Sequence, residues 1–228
     1  MLESLRQRFG WFYRMRSIYL FISLIVFISM MQFVDTSVLN ERMAANLLNM
    51  FVLVAAVAAV GRTRFSFVLA LLLTLPVVGF QWLGLSEGNP IYMLWSWALG
   101  ALFYLVTLVY LLRYVFSAQV MTGDKLFGAG AAYMLLGLLW SYFYSISQYF
   151  DQAAFTRYGV VAADMNIKDM VYFSFTTLTS TGYGDIAPLS SYAKALANIE
   201  QIFGTLFVAI LIARLAGIYP DRAKFSRE

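Results

Sequence analysis

The 228-residue chain is 61% hydrophobic and 12% charged, more apolar surface than a soluble domain of that length needs, so it reads as a membrane protein. It contains no cysteine and no histidine, which removes disulfides, thiolate nucleophiles, Ser-His hydrolases, zinc proteases and histidine-ligated haem. The net charge of +4 forms no nucleic-acid patch, because the basic residues gather where a cytoplasmic membrane face wants them.

A helix needs about 17 to 25 apolar residues to cross a bilayer, and six stretches qualify in chain order. Ser17 to Val34 comes first, preceded by Arg6, Arg8, Arg14 and Arg16 and by the interfacial aromatics Trp11, Phe12 and Tyr13. No small-residue cleavage site follows it, so it reads as a retained helix rather than a signal peptide. Met43 to Gly61 is the second stretch, and Phe65 to Ser86 the third, with a kink expected at Pro76. Gly88 to Leu112 is the fourth, opened by Asn89 as cap and Pro90 in the first turn. Its helix carries Arg113 alone, at the cytoplasmic end, whereas a voltage sensor needs several arginines spaced three apart. These four helices make an N-terminal domain, residues 1–116, that is sensor-like only in number.

Residues 117–228 read as a second domain. Leu126 to Phe150 is the fifth span, and roughly Tyr192 to Leu215 the sixth, with the acid Glu200 inside it. Between them, Asn166 caps a helix from Ile167 to about Leu178, with Asp169 completing a capping box. That helix is apolar enough to enter the bilayer and too short to cross it, which predicts a re-entrant segment. Arginine and lysine flank the spans on the side of both termini. The opposite side carries Asp35, Glu41, Glu87, Asp151, Asp164, Asp169 and Asp185 against four basic residues. Both termini are therefore expected in the cytoplasm, with multiple passes through the cell inner membrane. Only fourteen residues follow Arg214, too few for a ligand-binding regulatory domain.

The re-entrant helix runs into Thr179-Ser180-Thr181-Gly182-Tyr183-Gly184-Asp185. Glycines flanking a tyrosine let successive carbonyls turn toward one axis, where they can replace the water around an ion. The string resembles the selectivity filter of tetrameric potassium channels, and from about Met121 to Ile218 the chain is similar to the two-helix pore domain of that family. The resemblance implies an all-α membrane fold of six transmembrane helices, with a re-entrant pore helix and filter between helices five and six, assembled as a homotetramer. It implies an ion-binding filter at Ser180, Thr181, Gly182, Tyr183 and Gly184, with K+ held at the first four and by the Ser180 hydroxyl, and filter support from Tyr172 reaching Asp185. Permeant K+ is then the only ion required, with no cofactor and no catalytic residue. Gly204 stands twenty residues beyond Gly184, where the family places its inner-helix hinge.

Three positions depart from the family pattern. Ser180 replaces threonine, Thr181 replaces valine and so brings a hydroxyl that needs a partner when buried, and Phe173 replaces a tryptophan that bonds the filter tyrosine. On the sixth helix, Thr205, Val208 and Ile212 share one stripe, assigned to the cavity and inner constriction. Glu200 lies about 140° away from Thr205, facing the pore helix, where Ser174, Thr176 or Thr177 would bond it. Bracing of the filter by Glu200, with a link to proton concentration, is the expectation; a plain hydrogen-bonding acid is the alternative. Competing readings are a weakly selective monovalent cation channel, a transporter, a membrane scaffold, and an intramembrane protease sharing the Gly-x-Gly-Asp string. The protease lacks a second aspartate inside any span, and a transporter usually shows repeat-related halves.

Overall fold

The computed structural model describes residues 16–33, 39–61, 64–117 and 122–218. The arginines at 6, 8, 14, 62, 222 and 227, with Lys224, Asp35 and the Trp11-Phe12-Tyr13 anchor, lie outside the described residues.

Four helices form the first half: α1 (Arg16–Met31), α2 (Leu39–Val60), α3 (Arg64–Glu87) and α4 (Pro90–Val115). The second half holds α5 (Gly123–Phe150), α6 (Ile167–Leu178) and α7 (Ser191–Ile218), with strands β1 (Phe155–Arg157), β2 (Val160–Val161) and β3 (Ile186–Pro188). Among the described residues, four helical segments are long and apolar enough to cross a membrane: Ser66–Glu87, Pro90–Val115, Gly123–Phe150 and Ser191–Arg214. Two further apolar stretches, Arg16–Met31 and Asn46–Ala59, are shorter.

Local chemistry sets the helix ends. The Asn89 side chain accepts the Ile91 N–H at 3.1 Å and Pro90 opens α4, so the Asn-Pro pair caps this helix as its sequence predicts. α3 runs unbroken through Pro76. Thr122 caps α5, which starts three residues earlier than the apolar run alone suggests and draws Asp124 and Lys125 into its first turn. Both charges are buried. Asp124 accepts the Ser17 N–H at 2.8 Å, the Ser17 hydroxyl at 3.1 Å and the Tyr114 hydroxyl at 2.7 Å.

The core lies along α5, which contacts α1 and α4 on one side and α6 and α7 on the other. Small residues make this possible. A Cβ at Gly100 would lie 2.6 Å from the Tyr142 ring, and one at Gly137 2.8 Å from the Phe175 ring. α7 is different: most of its apolar side chains are exposed, including Ile202, Leu206, Ile210 and Ile212.

An all-α reading misses one feature. β1, β2 and β3 form an antiparallel sheet in the order β2-β1-β3, with Arg157 opposite both Val160 and Ile186. Tyr158 and Gly159 turn the β1–β2 hairpin with φ of 51° and 79°, both in the left-handed region that a two-residue type I′ turn requires.

Candidate functional site

α6 aims its C-terminus at the glycine-tyrosine string, and both of its ends are fixed by side chains. At the start, Asn166 Oδ1 accepts the N–H groups of Lys168 and Asp169 at 3.0 and 3.3 Å, while Asp169 Oδ2 accepts the Asn166 N–H at 3.0 Å. This is the capping box read from the sequence. Arg157 of β1 donates to the same Asp169 oxygen at 2.7 Å and pairs with Asp164 at 3.6 Å, which ties the sheet to the helix start.

Beyond the last turn the chain does not leave freely. The N–H of Ser180 bonds the Thr177 carbonyl at 2.9 Å, and those of Thr181 and Gly182 bond the Thr176 carbonyl at 2.8 and 3.1 Å. All described peptide bonds are trans. In a planar trans peptide the carbonyl points opposite to the N–H of the next residue. The carbonyls of Thr179, Ser180 and Thr181 therefore face away from α6, toward the open side of the chain. Ser180, Gly182 and Gly184 have φ of 56°, 55° and 81°, so left-handed residues alternate with Thr181 and Tyr183. Such alternation turns the N–H groups of successive peptides to one side, here toward the Thr176 carbonyl, and their carbonyls to the other. Residues 179–184 are exposed.

No atom lies within 4 Å of a Cβ built at Gly182 or Gly184, so their positive φ, rather than crowding, demands glycine there. Ser180 adopts the same region with a side chain, at a cost of about 1–2 kcal/mol. Strain of that kind concentrates at functional sites.

The Thr181 hydroxyl finds its partner in Thr179, with Oγ1 atoms 2.8 Å apart. At the outer end, the Asp185 carbonyl accepts the Tyr158 N–H at 2.7 Å, so the hairpin holds the exit of the string. The Tyr172 ring stacks on Tyr183, centroids 6.4 Å apart and planes within 5°. Asp185 stands near the Tyr172 hydroxyl, and partial desolvation followed by that carboxylate pushes the tyrosine's pKa up to about 12. Phe173 offers the string no donor. It packs in an aromatic cluster with Tyr144 and Phe155, at centroid distances of 4.9 and 5.3 Å.

Glu200 is wholly buried behind α6. Its Oε1 takes the Ser174 hydroxyl at 2.5 Å, and Ser174 Oγ also lies 2.7 Å from the Gly137 carbonyl. Its second oxygen accepts the Tyr144 hydroxyl. Ser174 was among the partners the helical geometry suggested. Thr176 instead donates to the Phe173 carbonyl at 2.9 Å, and Tyr144 takes the remaining place. No sequence signal pointed to Tyr144, which stands 56 residues away on another helix.

Gly204 is buried against the end of α6, where a Cβ would collide with the Leu178 carbonyl oxygen. α7 is continuous through it. Thr205, Val208 and Ile212 are all exposed.

Residues 131–219 match a protein family described as ion channel, somewhat under half of the chain. A 55-residue stretch, 24% of the chain, is 36% identical to Two-pore potassium channel 5 of Arabidopsis thaliana and spans 14% of that relative. No solved structure matches the chain. The region running from within α5 through the capped short helix and the glycine-tyrosine string to the end of α7 is thus similar to ion-channel pore domains.

Proposed function

We propose that this chain forms a potassium-selective channel in which four copies contribute one Ser180-to-Gly184 strand each to a filter on a fourfold axis. One observation carries the reading. The N–H groups of Ser180, Thr181 and Gly182 are consumed by the end of α6, which leaves backbone carbonyls facing outward from a strand that nothing else among the described residues covers. Once four such strands close on a common axis and exclude bulk water, unpaired carbonyl dipoles there would be costly. A desolvated cation shared among symmetry-related strands satisfies them.

The rest of the pore region fits that role. α6 directs its C-terminal, partly negative end toward the inner cavity, which favours a cation below the filter. Thr205, Val208 and Ile212 line the inner pore, and the opposite apolar face of α7 meets the next subunit or lipid. The chain crosses the cell inner membrane six times, with α6 re-entrant and both termini cytoplasmic. Residues 1–116 form one domain and 117–228 the pore domain. With Arg113 alone near the end of α4, and exposed, opening is not steeply voltage-dependent.

Purified protein in liposomes should conduct K+ passively and migrate as a tetramer in detergent. Monomeric protein, or liposomes that stay impermeable, would overturn the proposal. Weak monovalent selectivity is the second reading, favoured by Ser180 in place of threonine and by a filter tyrosine that receives no donor from Phe173. Reversal potentials under bi-ionic K+/Na+ conditions separate the two.

A further inference from the structure

Glu200 is a wholly buried acid inside a span, and among the described residues no lysine or arginine pairs with it. An ionised carboxylate in such a place is costly unless a charge partner or a full set of hydrogen bonds compensates it. The hydrogens around it can be counted. Ser174 Oγ lies 2.5 Å from Glu200 Oε1 and 2.7 Å from the Gly137 carbonyl, and Tyr144 meets Glu200 Oε2.

A serine hydroxyl has one hydrogen to give. The Gly137 carbonyl has none, so the 2.7 Å contact is a bond only when Ser174 donates to it. A hydrogen shared between both neighbours would point squarely at neither, and bonds weaken steeply off line. The Ser174 oxygen is then an acceptor toward Glu200, and the 2.5 Å contact takes its hydrogen from Oε1. One arrangement pairs every group: Tyr144 donates to Oε2, the acid O–H on Oε1 donates to Ser174, and Ser174 donates to Gly137. With Glu200 ionised, Ser174 turns its hydrogen to the carboxylate. Two acceptor oxygens are then left facing each other at 2.7 Å, a repulsive contact where a bond had been.

We propose that Glu200 is held as the neutral acid, and that its proton is a removable link joining α5 to α6 behind the string. The link rests on the channel reading only for its effect on selectivity. Ser174 stands two residues before Thr176, whose carbonyl accepts the N–H groups of Thr181 and Gly182. Loss of the proton releases Gly137 from Ser174, and so loosens the end of α6 that holds the string. α7 packs against α5, α6 and β3. The titratable groups that α5 turns to the acid are Tyr144, which bonds it, and Tyr133, which is close enough to feel its charge. α6 offers Ser174, its own charges Lys168 and Asp169 sit in its first turn, and β3 has no titratable side chain. On α7 itself, Lys194 is exposed.

Infrared difference spectra of the purified full-length protein, recorded as the pH is raised, read the proton directly. The expected result is a carboxylic-acid carbonyl band at neutral pH that Glu200→Gln removes and that disappears as the pH climbs. Glutamine mimics the acid, its amide donating to Ser174 and its carbonyl accepting Tyr144, so this variant keeps the link without a proton to lose. Tyr144→Phe should move the band to higher frequency, because the acid's carbonyl oxygen loses its donor. In liposomes, the K+/Na+ reversal potential of the parent should shift over the pH range in which the band disappears, and that of Glu200→Gln should not move. Three results would overturn the proposal: no Glu200-dependent band at neutral pH, a band unmoved in Tyr144→Phe, or a titrating band beside a reversal potential that ignores pH. The spectra need no conduction. Impermeable liposomes with the band in place would therefore defeat the channel reading while supporting the protonated link.

Discussion

Replacing Gly204 with alanine discriminates between a hinge and a packing glycine. Inside a helix, alanine is favoured over glycine by about 1 kcal/mol when its methyl has room. A glycine retained only for bending would therefore give an alanine variant that is stiffer and more stable. Here the methyl falls on the Leu178 carbonyl oxygen, and lies 3.0 Å from both the Leu178 carbonyl carbon and its Cδ1. That carbonyl is backbone at the end of α6, and it is already held by the Tyr133 hydroxyl at 3.1 Å. It cannot swing aside like a side chain, so α6 and α7 must separate. Overpacking of this kind costs about 1–3 kcal/mol, which leaves a net loss of up to about 2 kcal/mol per chain after the gain in helix propensity. Thermal unfolding of the detergent-solubilised protein should show the loss as a lower Tm, about 2–4 °C for each kcal/mol at this chain length. Because α6 carries the string, K+ flux into liposomes should fall as well. An alanine variant as stable as the parent, or more so, would refute the packing argument and restore the hinge.

Tyr144→Phe removes one donor from the buried Glu200 carboxyl and should cost about 1–3 kcal/mol, with a shift in K+/Na+ reversal potential if the carboxyl braces the filter. Glu200→Gln tests the same link, and a variant with parental selectivity, inactivation and pH response would sink it. Asn166→Ala deletes the cap of α6 at a cost of about 1 kcal/mol; faster amide exchange in the first turn of that helix is the readout, and unchanged exchange contradicts the cap. Tyr172 has a pKa raised from 10.0 to about 12, so its contribution is complete below pH 10 and is lost as pH rises toward the folded value. An alkaline loss of flux above pH 10 should therefore be present in the parent protein and absent from Tyr172→Phe, and identical profiles would exclude this tyrosine.

What could be read from the sequence was local. Asn166 and Asp169 are three residues apart, and Asn89 and Pro90 are adjacent, so the rules of helix ends place α6 and the start of α4 without any tertiary information. That Glu200 faces the pore helix followed from helical periodicity, as did the set Ser174, Thr176 and Thr177, of which Ser174 is the partner, because both elements were already located. Tyr144 was out of reach because its meeting with Glu200 depends on the relative rotation and height of α5 and α7. The same limit applied to Asp124, which sequence position put at a span edge, and which the start of α1 turns into a buried acceptor. The three-stranded sheet escaped for another reason. Its strands span only two or three residues, too few for alternation to register, and the Tyr158-Gly159 turn lacks the asparagine or aspartate that normally announces a type I′ hairpin.

The inner helix shows how these contacts act together. At about 100° per residue, Glu200, Gly204 and Arg214 fall within roughly 80° of one another on α7, on the face that meets the rest of the chain. Glu200 is held by Ser174 and Tyr144, Gly204 rests on Leu178, and Arg214 Nη2 donates to the Ser117 carbonyl at 2.7 Å. Lys125 Nζ bonds that carbonyl at 3.3 Å and the Ser117 hydroxyl at 2.8 Å, while its neighbour Asp124 holds Ser17 of α1. The end of α4, the starts of α1 and α5, and the end of α7 therefore meet at one corner. A movement that carries the inner end of α7 away from this corner would break the Arg214 bond, a charge-assisted one worth about 1.5–3 kcal/mol. Arg214→Gln should shift the balance away from the described conformation by roughly tenfold to a hundredfold, read as a changed open probability in single-channel recordings. Indistinguishable open probabilities would mean that this corner does not move during gating, and that control of conduction resides nearer the filter, at Glu200.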